Sequence, residues 1–187
     1  YYVKGNEPIH KVTIIPRGLA LGLTFTLPEE DCHMIQKRQL EARLAMMFGG
    51  RVAEELVFGK EKITTGASND IKRATTIARR MVVEFGMSKI GSVYLEENEG
   101  EVFLGRSMMQ RKNISEATAR LIDNEIHRIL KKAEGIACVV LEKYKRELGA
   151  LAEALLEYET LTGEDIKCIL EGRPIEKKEQ SINSANP

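Results

Sequence analysis

Along residues 21–27 the chain alternates, with Leu21, Leu23, Phe25 and Leu27 on one side and Gly22, Thr24 and Thr26 on the other. A period of two predicts a half-buried strand. Just before it, Lys11–Ile15 is rich in β-branched residues and reads as a second strand, with Pro16-Arg17-Gly18 as turn material. The pair predicts a hairpin preceded by a polar loop over residues 4–9. Pro16 has no N–H to donate, so strand pairing is interrupted there. Pro28 ends the second strand, and Glu29-Glu30-Asp31 leads into a helical pattern. Leu40, Leu44, Phe48, Val52 and Leu56 then recur every four residues. Gly49 and Gly50 interrupt that helix at a cost of about 1 kcal/mol each relative to alanine, which predicts a close backbone neighbour.

A small-residue loop, Thr64-Thr65-Gly66-Ala67, opens the next helix, with Ser68 as the expected N-cap and Asp70 in the first turn. Ile71, Ala74, Ala78, Met81, Val82 and Phe85 form its apolar face, and Gly86 stops it. Residues 87–113 have no clear period and read as an extended loop. Ser115 caps a helix of about thirty residues, about 45 Å long. Its stripe comprises Leu121, Ile122, Ile126, Ile129, Leu130, Ala133, Ala137, Val140, Leu141 and Tyr144. Such a stripe needs a covering helix, which Leu148, Leu151, Ala152 and Leu155 are expected to supply. Thr162 caps the last helix, with Asp165 in the capping-box position and Leu161 stapled to Ile166; Gly172 and Pro174 end it. The fold class is therefore mainly α, with a small β-hairpin or sheet near the N-terminus. Residues 1–172 form the domain and 173–187 a polar tail, which lacks periodicity from Glu176 and is expected to be disordered.

Composition narrows the function classes. Among 187 residues, 28 Lys and Arg balance 28 Asp and Glu, which argues against a nucleic-acid partner. No apolar run is long enough to cross a bilayer, and no signal peptide is visible. Cys32, Cys138 and Cys168 are few and widely spaced, with no C-x-x-C pair, so a reducing compartment fits best.

Two acids stand out. Asp70 lies at the edge of the apolar face of its helix, so its carboxylate can point along the buried side; the helix dipole alone also favours an acid there. Glu54 lies one turn after Gly50 and three residues after Arg51, a good ion-pair spacing. Glu55 lies four after Arg51 and reads as a surface ion pair.

The stretch Thr65-Gly66-Ala67-Ser68-Asn69-Asp70-Ile71-Lys72-Arg73-Ala74-Thr75 resembles the T-G-A-x-N-D-[IL]-x-x-A-T signature of the FtsH family, membrane-bound, ATP-dependent AAA+ zinc metalloproteases. Residues 10–18, Phe48-Gly49-Gly50-Arg51-Val52-Ala53-Glu54-Glu55, residues 100–106 and Tyr158-Glu159-Thr160-Leu161 are similar to the same family in the same order. The resemblance implies a helical protease domain in which Asp70 is the third protein ligand of a catalytic zinc. It places Glu54 near the helix that carries the other ligands, where a carboxylate can orient a zinc-bound histidine. It also implies protein substrates, a homo-hexameric ring and quality-control proteolysis on the cytoplasmic, matrix or stromal side of an inner membrane. Strands beside such a cleft can bind substrate by edge pairing.

In that family the two histidine ligands and the general base belong to an H-E-x-x-H helix just before the equivalent of Tyr1. The sequence has no such motif; its histidines are His10, His33 and His127. The expectation is a chain that begins just after that helix, with Tyr1-Tyr2-Val3 as its last turn. It would contain no catalytic residue of its own and be inactive alone. ATP, Mg2+ and the membrane anchor would belong to absent upstream segments, for no P-loop is present. The alternative reading is a non-catalytic helical oligomerisation module.

Overall fold

The computed structural model describes residues 1–16, 18, 22–27, 34–94 and 114–175. They form two compact units: Tyr1, Glu7–Cys32 and Tyr144–Pro187 make one, and Tyr2–Asn6 with His33–Lys143 the other. The predicted mainly α class with a small sheet is what is found. Cys32, His33, Leu21 and most of the 87–113 and 173–187 stretches lie outside the described residues.

The larger unit packs three helices: α1 (Lys37–Phe58), α2 (Ser68–Val83) and α3 (Glu116–Lys143). Leu40, Leu44, Phe48 and Val52 of α1 are buried, as the four-residue spacing requires, and Leu56 packs at the edge. Ala74, Ala78 and Met81 of α2 are wholly buried, with Ile122, Ile126, Ile129, Ala133 and Ala137 of α3 against them. These alanines pack beside larger buried residues such as Leu44, Met81 and Ile122. The stripe of α3 is thus covered by α1 and α2, the role expected of the 148–155 segment. Its first member, Leu121, is 57% exposed and belongs to no core. Phe85 also leaves the face assigned to it: α2 ends at Val83, and Phe85 lies 41% exposed beneath the Arg80 guanidinium, 4.9 Å from the ring centroid. Ser115 does cap α3, its Oγ accepting the Thr118 N–H at 3.2 Å.

Gly49 and Gly50 do not have the close neighbour that their cost predicts. Among the described residues nothing lies within 4 Å of a Cβ built on either, and Gly50 is exposed.

Among the described residues of this unit one acid is buried. Glu125 of α3 is 7% exposed and accepts three hydrogen bonds of 2.7 Å: Arg128 Nε on one oxygen, Arg128 Nη2 and the Lys89 backbone N–H on the other. The Arg128 bonds, helped by the Lys89 amide and outweighing desolvation, hold its carboxyl at about 2. The clamp fastens residues 87–90, where Met87 and Ile90 pack on the core, to the middle of α3.

In the smaller unit β1 (Ile9–Thr13) is the central strand of an antiparallel sheet, flanked by β2 (Leu23–Thr26) and β3 (Thr160–Thr162). The hairpin prediction therefore gains a third strand. The first strand starts two residues earlier than Lys11 and stops at Thr13, leaving Ile14 and Ile15 exposed. At its end the Thr13 hydroxyl bonds with Glu159 O (3.1 Å) and Thr160 Oγ1 (2.8 Å), and the Ile14 N–H donates to the same Glu159 carbonyl at 2.9 Å. The alternation of the second strand does not produce a buried face: Phe25 and Leu27 are both exposed, with Lys11 Nζ 5.2 Å from the Phe25 ring. Leu161 of β3 is wholly buried, opposite Val12.

After α4 (Lys145–Tyr158), β3 runs directly into α5 (Gly163–Leu170) through the predicted capping box. Thr162 Oγ1 accepts the Asp165 N–H at 3.2 Å while Asp165 Oδ2 accepts the Thr162 N–H at 2.8 Å. Leu161 and Ile166, the predicted staple, are both buried. Gly163 has no substitute, since a Cβ there would collide with the Ile9 carbonyl of β1.

Two outcomes test this packing. Gly50→Ala should stabilise the 187-residue chain by about 1 kcal/mol, read as a raised urea midpoint at unchanged slope, because helix propensity changes and no neighbour is displaced. Destabilisation would mean that a neighbour does occupy that face.

Glu125→Gln should cost about 1–3 kcal/mol at pH 7. The native carboxyl is held below its unfolded value, so its contribution is full above about pH 4.5 and fades as pH falls toward 2. Urea midpoints of the two proteins should therefore converge in acid; a constant gap across that range would exclude the clamp.

Candidate functional site

The C-terminal half of α1 carries Arg51 and Glu54 on adjacent turns. Beyond Gly59 the chain makes a short 3₁₀ turn, Lys60–Lys62, and returns along α1 toward the start of α2. This return brings Thr64 onto Glu54. The Thr64 hydroxyl donates to Glu54 Oε1 at 2.6 Å, and its backbone N–H approaches Oε2 at 3.4 Å. With its proton committed, the hydroxyl oxygen accepts the Gly66 N–H at 3.1 Å, a serine/threonine-type turn. A Cβ on Gly66 would sit 3.2 Å from that oxygen, so glycine suits the turn.

Arg51 Nη1 stands 3.5 Å from Glu54 Oε2, an ion pair by distance. It is nevertheless buried and makes no hydrogen bond, so its contribution there is Coulombic. The Thr64 hydroxyl first, then the Thr64 amide and the Arg51 charge, hold the Glu54 carboxyl below the usual carboxylate range against a desolvation penalty. The Arg51 spacing is thus used by Glu54; no ion pair from Arg51 to Glu55 is found among the described residues.

The turn closes with Ser68 N–H on Thr65 O and Ile71 N–H on Ala67 O, both at 3.0 Å. Ala67, not Ser68, is the N-cap of α2, and no side chain caps it. Ser68 is already helical because the preceding turn supplies the backbone acceptor. Asp70 consequently occupies the third helical position. It is half-buried, between the buried Ala67 and Ala74, and its carboxylate has no hydrogen-bond or ion-pair partner among the described residues.

An unpaired carboxylate at a helix N-terminus suits either the dipole or a cation. Among the described residues no group of three His, Cys, Asp or Glu side chains could hold a metal. His10 lies exposed on β1 and His127 exposed on α3. Asp70 is a single carboxylate and belongs to no such group. Glu54 and Asp70, the two predicted site residues, belong to one unit and are linked through Thr64 and the turn it opens. Thr64 itself was not predicted. Its local signal, Thr two residues before Gly, marks a turn, but its partner lies ten residues back.

A family model described as peptidase family M41 matches residues 1–169. The chain belongs to this family. Within M41 it is 49% identical to an "ATP-dependent zinc metalloprotease FtsH" of Caulobacter vibrioides over 180 residues, 96% of this chain and 29% of that protein. The Haemophilus influenzae protein of the same description is 48% identical, over 94% of this chain and 28% of its own length. That of Acidobacterium capsulatum is 46% identical, over 92% and 27%. The chain thus spans less than a third of the length of these M41 relatives. Glu54, Thr64 and Asp70 all fall within the matched region. No described helix is long and apolar enough to cross a membrane.

The cap assignment has a direct test. Ser68→Ala should change stability by less than about 0.5 kcal/mol, whereas Ser115→Ala, which removes a real cap, should cost about 1 kcal/mol. Thermal or urea unfolding of both variants distinguishes them; equal losses would return Ser68 to the N-cap.

Proposed function

We propose that the chain is part of an ATP-dependent zinc metalloendopeptidase and supplies Asp70 as a zinc ligand. Membership of M41 and the wording of the relatives' names support the protease class. The observation that carries the ligand role is the Asp70 carboxylate: half-buried, unpaired among the described residues, and fixed in the first turn of α2. A group so placed keeps its charge available for a cation.

In this reading residues 1–172 are part of the peptidase domain and 173–187 a polar tail. Two more protein ligands and the general base come from outside these residues, so the 187-residue chain alone binds zinc weakly and hydrolyses no peptide bond. Zinc bound in the complete site would bring a water toward neutral pKa for attack on a peptide carbonyl. Asp70 holds one coordination direction and lowers the net charge there. Glu54 acts as a supporting carboxylate, and α1–α3 provide the rigid frame and the helical assembly region. Protein substrates, a homo-hexameric ring and attachment to an inner membrane through segments outside these residues complete the reading. ATP and Mg2+ belong to a separate module.

The test is Asp70→Asn in the full-length protein. The amide keeps the shape and loses the charge, so proteolysis of casein should be lost and zinc content should fall, with ATP hydrolysis largely retained. Normal zinc content together with normal proteolysis would overturn the ligand role and leave Asp70 as a dipole partner only.

A further inference from the structure

The feature of the site that this reading leaves unused is Thr64. Its hydroxyl sits between an acceptor that cannot donate and a donor that cannot accept: the Glu54 carboxylate at 2.6 Å and the Gly66 N–H at 3.1 Å. The direction of both bonds is therefore fixed. A hydroxyl bonded to a carboxylate makes a short, charge-assisted contact, and this one spans α1 and the turn before α2. On the far side of the turn, Ala67 is buried and the Ser68 and Ile71 amides are committed to Thr65 and Ala67. The path from Glu54 to the first turn of α2 is thus held at Thr64, Gly66, Ser68 and Ile71. On the α1 side Glu54 is equally fixed, because its neighbour Val52 is buried in the three-helix core.

We propose that Thr64 is a positioning residue for Asp70, and that Glu54 acts on the metal site through Thr64 as a latch on the turn. The proposal rests on Asp70 being a zinc ligand. It assigns Glu54 an indirect route to the metal, through the loop that carries the ligand, in place of a direct one through another ligand. Outer groups that orient a metal ligand typically matter 10- to 100-fold in metal affinity.

The experiment uses the full-length protein and titrates zinc against a chromophoric chelator. Thr64→Val keeps the volume and removes the hydroxyl; zinc affinity should fall about 10- to 100-fold. Thr64→Ser, which restores the hydroxyl, should recover to within about threefold of wild type. In a double-mutant cycle, Thr64→Val should add less than about threefold in a Glu54→Gln background, because both changes break the same latch.

Wild-type affinity for Thr64→Val, or effects of Thr64→Val and Glu54→Gln that multiply, would overturn the proposal. Should Thr64→Val fail to fold, as judged by its melting curve, Thr64→Ser and Glu54→Gln keep the test open: a Glu54→Gln protein with wild-type affinity overturns it. Asp70→Asn run alongside separates the two levels. If that variant binds zinc normally, the ligand assignment itself fails; if it loses zinc while Thr64→Val does not, only the latch fails.

Discussion

The total burial of Ala74, Ala78 and Met81 packs α2 against both α1 and α3. Packing of this kind leaves little slack, since a close-packed core tolerates neither an added methylene nor a void. Because α2 cannot slide, its first turn has a defined position, and Asp70 inherits it. The Glu54–Thr64–Gly66 bonds then constrain the loop that enters this turn. Asp70 is therefore supported by hydrophobic packing from one direction and by a charge-assisted hydrogen-bond relay from the other.

Glu125 and Glu54, two carboxylates of this unit, illustrate how burial changes the value of a charge. Glu125 is enclosed and saturated by Arg128 and the Lys89 amide, so its ionisation is locked into the fold. Glu54 is more exposed and accepts two hydrogen bonds, both from Thr64, beside the Arg51 charge. Exposed pairs such as Arg80 with Glu84, 2.9 Å apart, contribute little to either.

Periodicity made the three core helices legible, because Leu40 to Leu56 and Ile122 to Ala137 must share a face to be buried at all. Side-chain chemistry made the Ser115 and Thr162 caps legible, since each cap is a local contact. Local pattern could not show β3: Thr160-Leu161-Thr162 is too short to alternate, and its partner strand lies about 150 residues away. The same limit hid the Thr64 bond to Glu54, which exists only because the chain reverses after Gly59. The place of Asp70 in the first turn of α2 was legible from the helical spacing around it. The Gly49-Gly50 expectation failed because a propensity cost states only that something compensates, not what.

The sheet joins residues 9–13 to residues 160–162, whereas all three core helices lie within His33–Lys143. During synthesis the helical unit has its α1–α3 core sequence on hand some seventeen residues before Thr160 exists. Until Thr160 emerges, β1 can have only β2 as a partner, and a lone hairpin is marginal in water. Its other edge is then open, with the main-chain groups of Lys11 to Thr13 unpaired by β3. Of the three described strands the last made thus closes the first, and β1 keeps an adhesive edge while residues 27–159 are being made.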